Sequence, residues 1–358
     1  MTGRAADKYP DVFSGTYSDA IAMPKLVRLG PNLVGAAFTL MKLVPARYIL
    51  RRAARDGRIR PGGRIVETTS GTFGLALAIE AALHGWRLTL VSDPVIDDRL
   101  AARLRDLGAE VEIVSEPAPG GGYQQPRLDR VTRLLRDDPE AFCPEQYRNP
   151  DNPLSYSAVA DLLLERLGRI DVLVGTVGSG GSMCGTARFL REVCPELRAV
   201  GVDTHRSVIF GQPDGPRPLR GLGNSLMPAN VDHTVFDDVH WLSHGHAVRA
   251  TRDLHRRHAV YMGPTSGAAY AVASWYARHD PGRLHVVLLP DEGHRYQDTV
   301  YSDEWLHRNT EPEVPAEPRL VDDPRDGLDG WSYLHWDRRP AAYAAGPVEA
   351  GAGGVRRG

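Results

Sequence analysis

Residues 64–85 have the sequence RIVETTSGTFGLALAIEAALHG, which joins a short apolar run, a Gly/Ser/Thr loop and a helical segment. The first five residues are rich in β-branched side chains and do not alternate strictly with polar ones, as expected of a parallel strand covered on both faces. From Phe73 the apolar residues follow helical spacing as far as Gly85, the residue type favoured just after a helix. The stretch predicts one strand–loop–helix unit of an α/β fold.

The same alternation continues along the chain. Further strands are predicted at 87–92, 110–114, 171–176, 198–203 and 284–290, and further helices at 45–57, 98–108, 182–193 and 266–279. This order predicts an α/β protein with open, mainly parallel sheets and flanking helices. A Gly/Pro-rich loop at 115–126 interrupts the pattern, and the composition changes again near residue 308. We expect a disordered tail at the C-terminus, preceded by an aromatic segment, 331–336, that docks on another surface, a partner subunit being one candidate.

Composition excludes several classes of protein. The 358 residues carry a net charge of -2, so there is no basic surplus to neutralise a nucleic acid. No apolar run reaches the roughly 18 residues that a membrane helix needs, and no secretory signal is seen at the N-terminus. The three cysteines form no CxxC motif. We therefore expect a cytoplasmic protein with no structural metal and no disulfide framework.

Three Gly/Ser/Thr loops each follow a predicted strand and precede a predicted helix: residues 68–74, 178–182 and 263–269. Backbone N–H groups at a helix N-terminus favour anions. One such loop is often only a tight turn, but three in one chain favour a protein that holds both a phosphate and a carboxylate. None matches GxGxxG or GxxxxGK[ST], which disfavours dinucleotide and P-loop sites.

Five motifs in a fixed order carry a family resemblance: Thr69–Thr72, Gln146–Pro153, Gly178–Ser182, Pro264–Ala269 and Leu289–Tyr296. The chain resembles the cysteine synthase and cystathionine β-synthase family of fold type II pyridoxal-phosphate enzymes. That resemblance implies a tryptophan synthase β-like fold with two sheet domains. The large cofactor domain would be 25–60 and 176–310, and the small substrate-carboxylate domain 61–175. An N-terminal lead, 1–24, and a partly disordered extension, 311–358, would flank them.

A narrower resemblance comes from Lys42–Ile49, Gly121–Tyr123, Arg206–Gly211 and Val300–Leu306. These segments are similar to the synthases that open 2,3-diaminopropionate biosynthesis for siderophores and peptide antibiotics. The resemblance implies a homodimer that joins O-phospho-L-serine to L-glutamate, giving N-(2-amino-2-carboxyethyl)-L-glutamate and phosphate. Two alternatives stay open. One is a cysteine synthase or cystathionine β-synthase with a sulfur nucleophile, and the other is a non-catalytic protein that keeps the fold.

The family needs a lysine that binds pyridoxal phosphate covalently, and the chain has only Lys8, Lys25 and Lys42. Lys42 is the candidate catalytic residue. Its neighbours Met41 and Leu43 predict partial burial, which lowers the pKa of an amine and makes it a usable nucleophile and base. The alternative is a solvated surface lysine.

The resemblance also assigns the remaining site residues. Cofactor contacts would come from Thr72, Gly178, Ser179, Gly180, Gly181, Ser182 and Thr265, and substrate contacts from Thr69, Ser70, Gly71, Gln146, Arg127 and Tyr147. For Arg127 and Tyr147 a solvated arginine and a core tyrosine are alternatives. Leu43 and Val44 depart from the family's Asp-Arg, and Thr72 replaces its asparagine, which puts cofactor geometry in question.

Overall fold

The computed structural model describes residues 14–69, 71–118, 122–219, 221–309 and 316–340. The helices are α1 (Tyr17–Ile21), α2 (Leu43–Arg55), α3 (Thr72–His84), α4 (Asp98–Asp106), α5 (Gln124–Asp137), α6 (Asp151–Leu154), α7 (Ser157–Leu167), α8 (Gly181–Val193), α9 (His244–His258), α10 (Pro264–His279) and α11 (Asp303–Asn309). The strands are β1 (Lys25–Arg28), β2 (Leu33–Ala37), β3 (Arg64–Thr68), β4 (Arg87–Ser92), β5 (Glu110–Ile113), β6 (Val172–Thr176), β7 (Arg198–Thr204), β8 (Asp238–Leu242), β9 (His285–Leu289), β10 (Arg319–Leu320) and β11 (Trp331–His335). Every strand and helix predicted from the sequence is present.

The larger sheet has the order β1-β2-β9-β6-β7-β8-β11-β10 within the described residues. Strands β2, β9, β6, β7 and β8 pair in parallel, whereas β1 and β11 run antiparallel to β2 and β8. In β9, Val286 and Leu288 pack into one hydrophobic cluster, and Val287 and Leu289 pack into another. Because successive side chains point to opposite faces, both faces of this strand are covered, which explains its unbroken apolar sequence.

The smaller sheet consists of β3, β4 and β5, all parallel. Ile65 of β3 packs into the cluster that includes α2, α3 and α4, while the next residue, Val66, packs with Val131 and Leu134 of α5. The predicted α/β class with two mainly parallel sheets is therefore confirmed. No helix in the described ranges is long and apolar enough to cross a membrane.

The predicted domain boundaries stay a prediction. Strand β6 begins at Val172, inside the range 61–175 expected for the small domain, yet it pairs in the larger sheet. The aromatic segment 331–336 docks on its own chain, because β11 pairs with β8 and the Trp331 indole donates to His240 Nδ1 at 3.1 Å. The tail beyond residue 340 lies outside the described residues.

The loops that follow β3, β6 and β9 all line one cavity, which is completed by the N-terminal end of α2. Parallel strands direct their carboxyl ends to the same side of a sheet, and such edges are the usual ligand sites of open α/β folds. The two sheets therefore bring segments that are far apart in sequence to one place.

Candidate active site

The cavity has a volume of about 220 Å³ and collects most of the residues that the sequence nominated. Its lining includes Lys42, Thr69, Gly71, Thr72, Arg127, Gln146, Tyr147, Gly178, Ser179, Ser182 and Thr265. Gly180 and Gly181 belong to the same loop but are not among the lining residues, and Ser70 lies outside the described residues. Cavity residues that the prediction did not name include Phe73, Asn224, Asp291, Arg295 and Tyr296.

Lys42 immediately precedes α2 and directs its amine into the cavity. The amine donates to the Ser179 hydroxyl at 3.3 Å. Desolvation lowers the pKa of Lys42 to about 8, and the Asp291 carboxylate opposes part of that shift. At pH 7 roughly a tenth of such amines are neutral. The Lys42 amine is thus desolvated and hydrogen-bonded at the cavity, unlike the solvated lysine of the alternative interpretation, and this setting suits a nucleophile or base.

Leu43 and Val44, which stand where the resembled family has Asp-Arg, are packing residues. They are 0% and 7% exposed. Leu43 belongs to the hydrophobic cluster of the smaller sheet, and Val44 to a cluster of the larger sheet. The first turn of α2 therefore packs into both cores directly beside Lys42. The apolar pair at 43 and 44 holds the start of α2 in place, and it puts no charged side chain of its own into these cores.

The glycine loop 178–182 connects β6 to α8, whose first residue is Gly181. Gly180 has φ +84°, a conformation that favours glycine. A Cβ added to Gly180 would come within 2.6 Å of the Asn230 carbonyl carbon, whereas a Cβ added to Gly178 would meet nothing within 4 Å. The loop is thus packed behind Gly180 and open at Gly178. The free N–H groups of the first turn of α8, together with its dipole, suit a phosphate.

A second helix N-terminus faces the cavity at Gly71 and Thr72, where α3 begins. The Gly71 N–H donates to the Thr69 hydroxyl at 3.1 Å, which shapes the turn between β3 and α3. Gly74 allows the close approach of this turn, because a Cβ there would lie 2.6 Å from Thr69 Cγ2. Hydroxyl groups and a helix N-terminus at one wall suit a substrate carboxylate.

Two asparagines hold Gln146 against the glycine loop. Asn152 Nδ2 donates to the Gln146 carbonyl at 2.6 Å and to the Ser179 hydroxyl at 3.2 Å. Asn230 Nδ2 donates to the same carbonyl at 3.0 Å. Asn152 stands in the Gln146–Pro153 motif, so the sequence could have identified it, but nothing local in the sequence distinguishes Asn230.

Arg127 and Tyr147 form another part of the cavity wall. Arg127 Nη1 lies 3.0 Å from Asp93 Oδ2, and both side chains are largely buried. The buried Nε of Arg127 makes no hydrogen bond to any described residue. Burial raises the pKa of Tyr147, against the effect of the nearby Arg127 charge, and the Asn224 side chain hydrogen-bonds its hydroxyl. A buried guanidinium with an unused donor beside a tyrosine hydroxyl is suited to an anionic group of a ligand.

At the start of α10, Thr265 donates to Asp291 Oδ1 at 3.5 Å, and Tyr296 donates to Asp291 Oδ2 at 2.8 Å. Burial raises the pKa of Asp291, while the Tyr296 hydrogen bond opposes this shift. Asp291 follows β9 within the Leu289–Tyr296 motif, which was the available signal for it. The Thr265 hydroxyl is therefore held by a carboxylate at the cavity wall.

Comparison with known proteins adds to this geometry. Residues 41–291 match the family described as "Pyridoxal-phosphate dependent enzyme". The chain is 38% identical over 298 residues to the N-(2-amino-2-carboxyethyl)-L-glutamate synthase of Cupriavidus metallidurans, covering 81% of this chain and 85% of that protein. It is 40% identical over 267 residues to the synthase of the same name from Ralstonia nicotianae, covering 74% and 79%.

Solved structures are similar over most of the chain. A hydrogen sulfide-producing enzyme from Fusobacterium nucleatum superposes with a TM-score of 0.73 at 25% identity, covering 79% of this chain and 100% of that chain. An O-acetylserine-dependent cystathionine β-synthase from Helicobacter pylori also gives 0.73, at 26% identity, covering 81% and 99%.

Proposed function

The chain belongs to the family of pyridoxal-phosphate-dependent enzymes, and we propose that it replaces the β-substituent of O-phospho-L-serine with the amino group of L-glutamate. The products would be N-(2-amino-2-carboxyethyl)-L-glutamate and phosphate. The chain is a pyridoxal-phosphate-dependent synthase, which sets aside the interpretation as a non-catalytic protein. The two relatives named for this product support the choice of substrates.

The residues present fit the cofactor. We assign Lys42 to its covalent attachment and Gly178, Ser179, Gly180, Gly181 and Ser182 to its phosphate, because the backbone is open at Gly178 and α8 begins here. Thr72 and Thr265 would contact the ring. When bound, pyridoxal phosphate supplies the electron sink that allows a β-substituent to leave the substrate.

Lys42 has a second role in this proposal. Its amine would remove the Cα proton of the donor and later return a proton, as a general base and acid. A pKa of about 8 suits both directions near neutral pH, because neither the charged nor the neutral form is costly to reach. The Ser179 hydroxyl, 3.3 Å away, orients the amine.

The donor carboxylate would bind at the N-terminal end of α3. We assign it to Thr69, Ser70, Gly71, Thr72 and Gln146. Support comes from the turn at Thr69–Gly71 and from the two asparagines that hold Gln146 in place. Hydrogen bonds to a carboxylate from such groups are short and strong.

The observation that carries the choice of glutamate is Arg127, which lines the cavity and whose buried Nε makes no hydrogen bond to any described residue. Asp93 pairs with this guanidinium through Nη1, but a buried Nε–H left without an acceptor still costs about 1–3 kcal/mol or more, so it favours a ligand that supplies one. A dicarboxylate such as glutamate supplies one beyond its reacting amine. Sulfide offers no carboxylate for this position.

The test uses holoenzyme with O-phospho-L-serine and, in separate reactions, L-glutamate, sulfide or homocysteine. We expect phosphate release to depend on glutamate and mass spectrometry to find the adduct of the two amino acids. Cysteine from sulfide or cystathionine from homocysteine, at a higher rate than the glutamate adduct, would instead establish the sulfur-nucleophile alternative. Absence of phosphate release with every acceptor would refute phosphoserine as donor.

We also propose a cytoplasmic homodimer. The resembled family is usually dimeric, and Cys143, Cys184 and Cys194 are free thiols, as fits a reducing compartment. Light scattering should give a mass near twice the 39.2 kDa of one chain. A mass near one chain would contradict the dimer.

A further inference from the structure

Glu67 is the penultimate residue of β3, and its buried carboxyl has no role in the mechanism above. The residue is 3% exposed and lies two residues before Thr69, which is in the turn that leads to α3. One carboxylate oxygen accepts from the Thr68 N–H at 2.8 Å. The other accepts from the Gln146 N–H at 3.4 Å. A single side chain thus connects the C-terminal end of β3, just before the loop that carries Thr69, to the loop that carries Gln146.

We propose that Glu67 is a positioning residue whose carboxylate holds the loop after β3 and the Gln146 loop in register, so that both bind the carboxylate of the donor amino acid. The proposal rests on the proposed function for the identity of the donor. It does not depend on which leaving group or nucleophile the enzyme uses, because every α-amino acid carries the same carboxylate.

The backbone explains why a side chain is needed here. Phe142 pairs with β3 through two hydrogen bonds, from its own N–H to the Arg64 carbonyl and from the Val66 N–H to its own carbonyl. One residue further along β3, the Glu67 side chain links the strand to the same neighbouring segment by accepting from the Gln146 N–H. The Gln146 carbonyl is already fixed by Asn152 and Asn230. Glu67 binds the N–H of the same residue, so both ends of Gln146 are restrained.

Charged and titratable groups around Glu67 come chiefly from the neighbouring loop. They are the Cys143 thiol, the Glu145 carboxylate and the Tyr147 hydroxyl, with Arg127 of α5 behind Tyr147. Burial raises the pKa of Glu67 to about 7, the backbone hydrogen bonds oppose the shift, and Glu145 adds to it. As pH falls through 7 the carboxyl takes up a proton and loses an acceptor, so the Gln146 loop is released on the acid side.

The experiment compares wild-type holoenzyme with Glu67→Gln and Glu67→Asp. L-Serine and O-phospho-L-serine are titrated without an acceptor, and the change in the absorption spectrum of the bound cofactor is followed between pH 6 and 9. In wild type we expect donor affinity to fall on the acid side of pH 7. In Glu67→Gln we expect about tenfold weaker binding at pH 8 and no acid-side dependence, because the amide cannot accept from both N–H groups at any pH. Glu67→Asp should bind weakly too but keep a pH dependence.

Glu145→Gln is the matched control, because it removes a carboxylate from the Gln146 loop but keeps the Glu67 hydrogen bonds to the Thr68 and Gln146 N–H groups. Its affinity for the donor at pH 8 should equal that of wild type. The loss of donor affinity on the acid side should move to lower pH, because Glu145 no longer raises the pKa of Glu67. Wild-type affinity in Glu67→Gln, or an unchanged acid-side fall in that variant, would overturn the proposal. If Glu67→Gln does not fold, wild-type affinity and pH dependence in Glu67→Asp overturn it instead. If the spectrum of the wild-type enzyme changes with L-serine but not with O-phospho-L-serine, the proposed donor is refuted. The role of Glu67 is then still tested by comparing the variants with L-serine.

Discussion

Gly181→Ala should destabilise the protein, although Gly181 is not itself among the residues that line the cavity. An added Cβ would lie 2.6 Å from Asn152 Cγ, and Asn152 is 1% exposed. Asn152 must therefore move. It would then weaken its hydrogen bonds to the Gln146 carbonyl and the Ser179 hydroxyl, which connect the Gln146 loop to the glycine loop.

The magnitude follows from three contributions. Overpacking a close-packed site costs about 1–3 kcal/mol. Each of the two hydrogen bonds contributes about 0.5–1.5 kcal/mol to the free energy of unfolding. Alanine is better than glycine within a helix by about 0.5–1 kcal/mol, which offsets part of the loss. We expect the free energy of unfolding to fall by about 2–4 kcal/mol in urea titrations followed by circular dichroism.

Gly178→Ala is the matched comparison, because its Cβ would meet nothing within 4 Å. The apoprotein should unfold within about 0.5 kcal/mol of wild type, as substitutions without steric conflict usually do. Its affinity for pyridoxal phosphate should fall, because the methyl group occupies the open side of the glycine loop. Equal stability of Gly181→Ala and wild type, measured to the same precision, would refute the reasoning about Asn152.

Three further predictions concern the cavity. Lys42→Ala should abolish turnover and remove the pyridoxyl peptide seen after borohydride reduction, and a wild-type rate would contradict its assignment. Arg127→Ala should raise the KM for glutamate about tenfold or more, with little change in the first half-reaction. Arg130, on the same helix and paired with Glu112, gives the control, and Arg130→Ala should behave as wild type. Equal losses in both half-reactions of Arg127→Ala would count against the role of Arg127. Asp291→Asn should lower the pKa of Lys42 below about 8, because the Asp291 charge raises that pKa. The acid limb of the pH–rate profile should therefore move to lower pH. An unmoved limb would show that Asp291 does not influence the amine.

Local sequence was informative wherever burial or turn geometry leaves a short-range pattern. Strands β6 and β9 are covered on both faces, so they are continuous apolar runs, and they were predicted with nearly the observed bounds. Strand β1, with its partly exposed Lys25–Arg28, and β11, in the C-terminal segment, lacked that pattern and were missed. The buried strands β2 and β8 were missed as well, because the glycine and alanines of β2 and the Asp238 and His240 of β8 interrupt the apolar run. Helix α9, with its mostly polar sequence, was missed for the same reason.

The contacts that organise the cavity were harder to predict. Asp93 pairs with Arg127, and Asn230 binds Gln146, across 34 and 84 residues of sequence. In the sequence Glu67 appeared to be an ordinary strand residue. Its second carboxylate oxygen finds its donor, the Gln146 N–H, only when the Gln146 loop lies beside β3. No periodicity carries this information, since the partners are on elements that meet only through packing.

The amino-acid sequence alone determined the α/β class and the glycine turns and pointed to Lys42 as the candidate lysine, because buried parallel strands, helix ends and rare residue types are local properties of the chain. Tertiary structure decided that β11 completes the larger sheet beside β8, that Leu43 and Val44 join two cores next to Lys42, and that Glu67 faces Gln146. These arrangements depend on which surfaces bury each other. That choice is made by the free energy of the whole packed molecule rather than by any one segment.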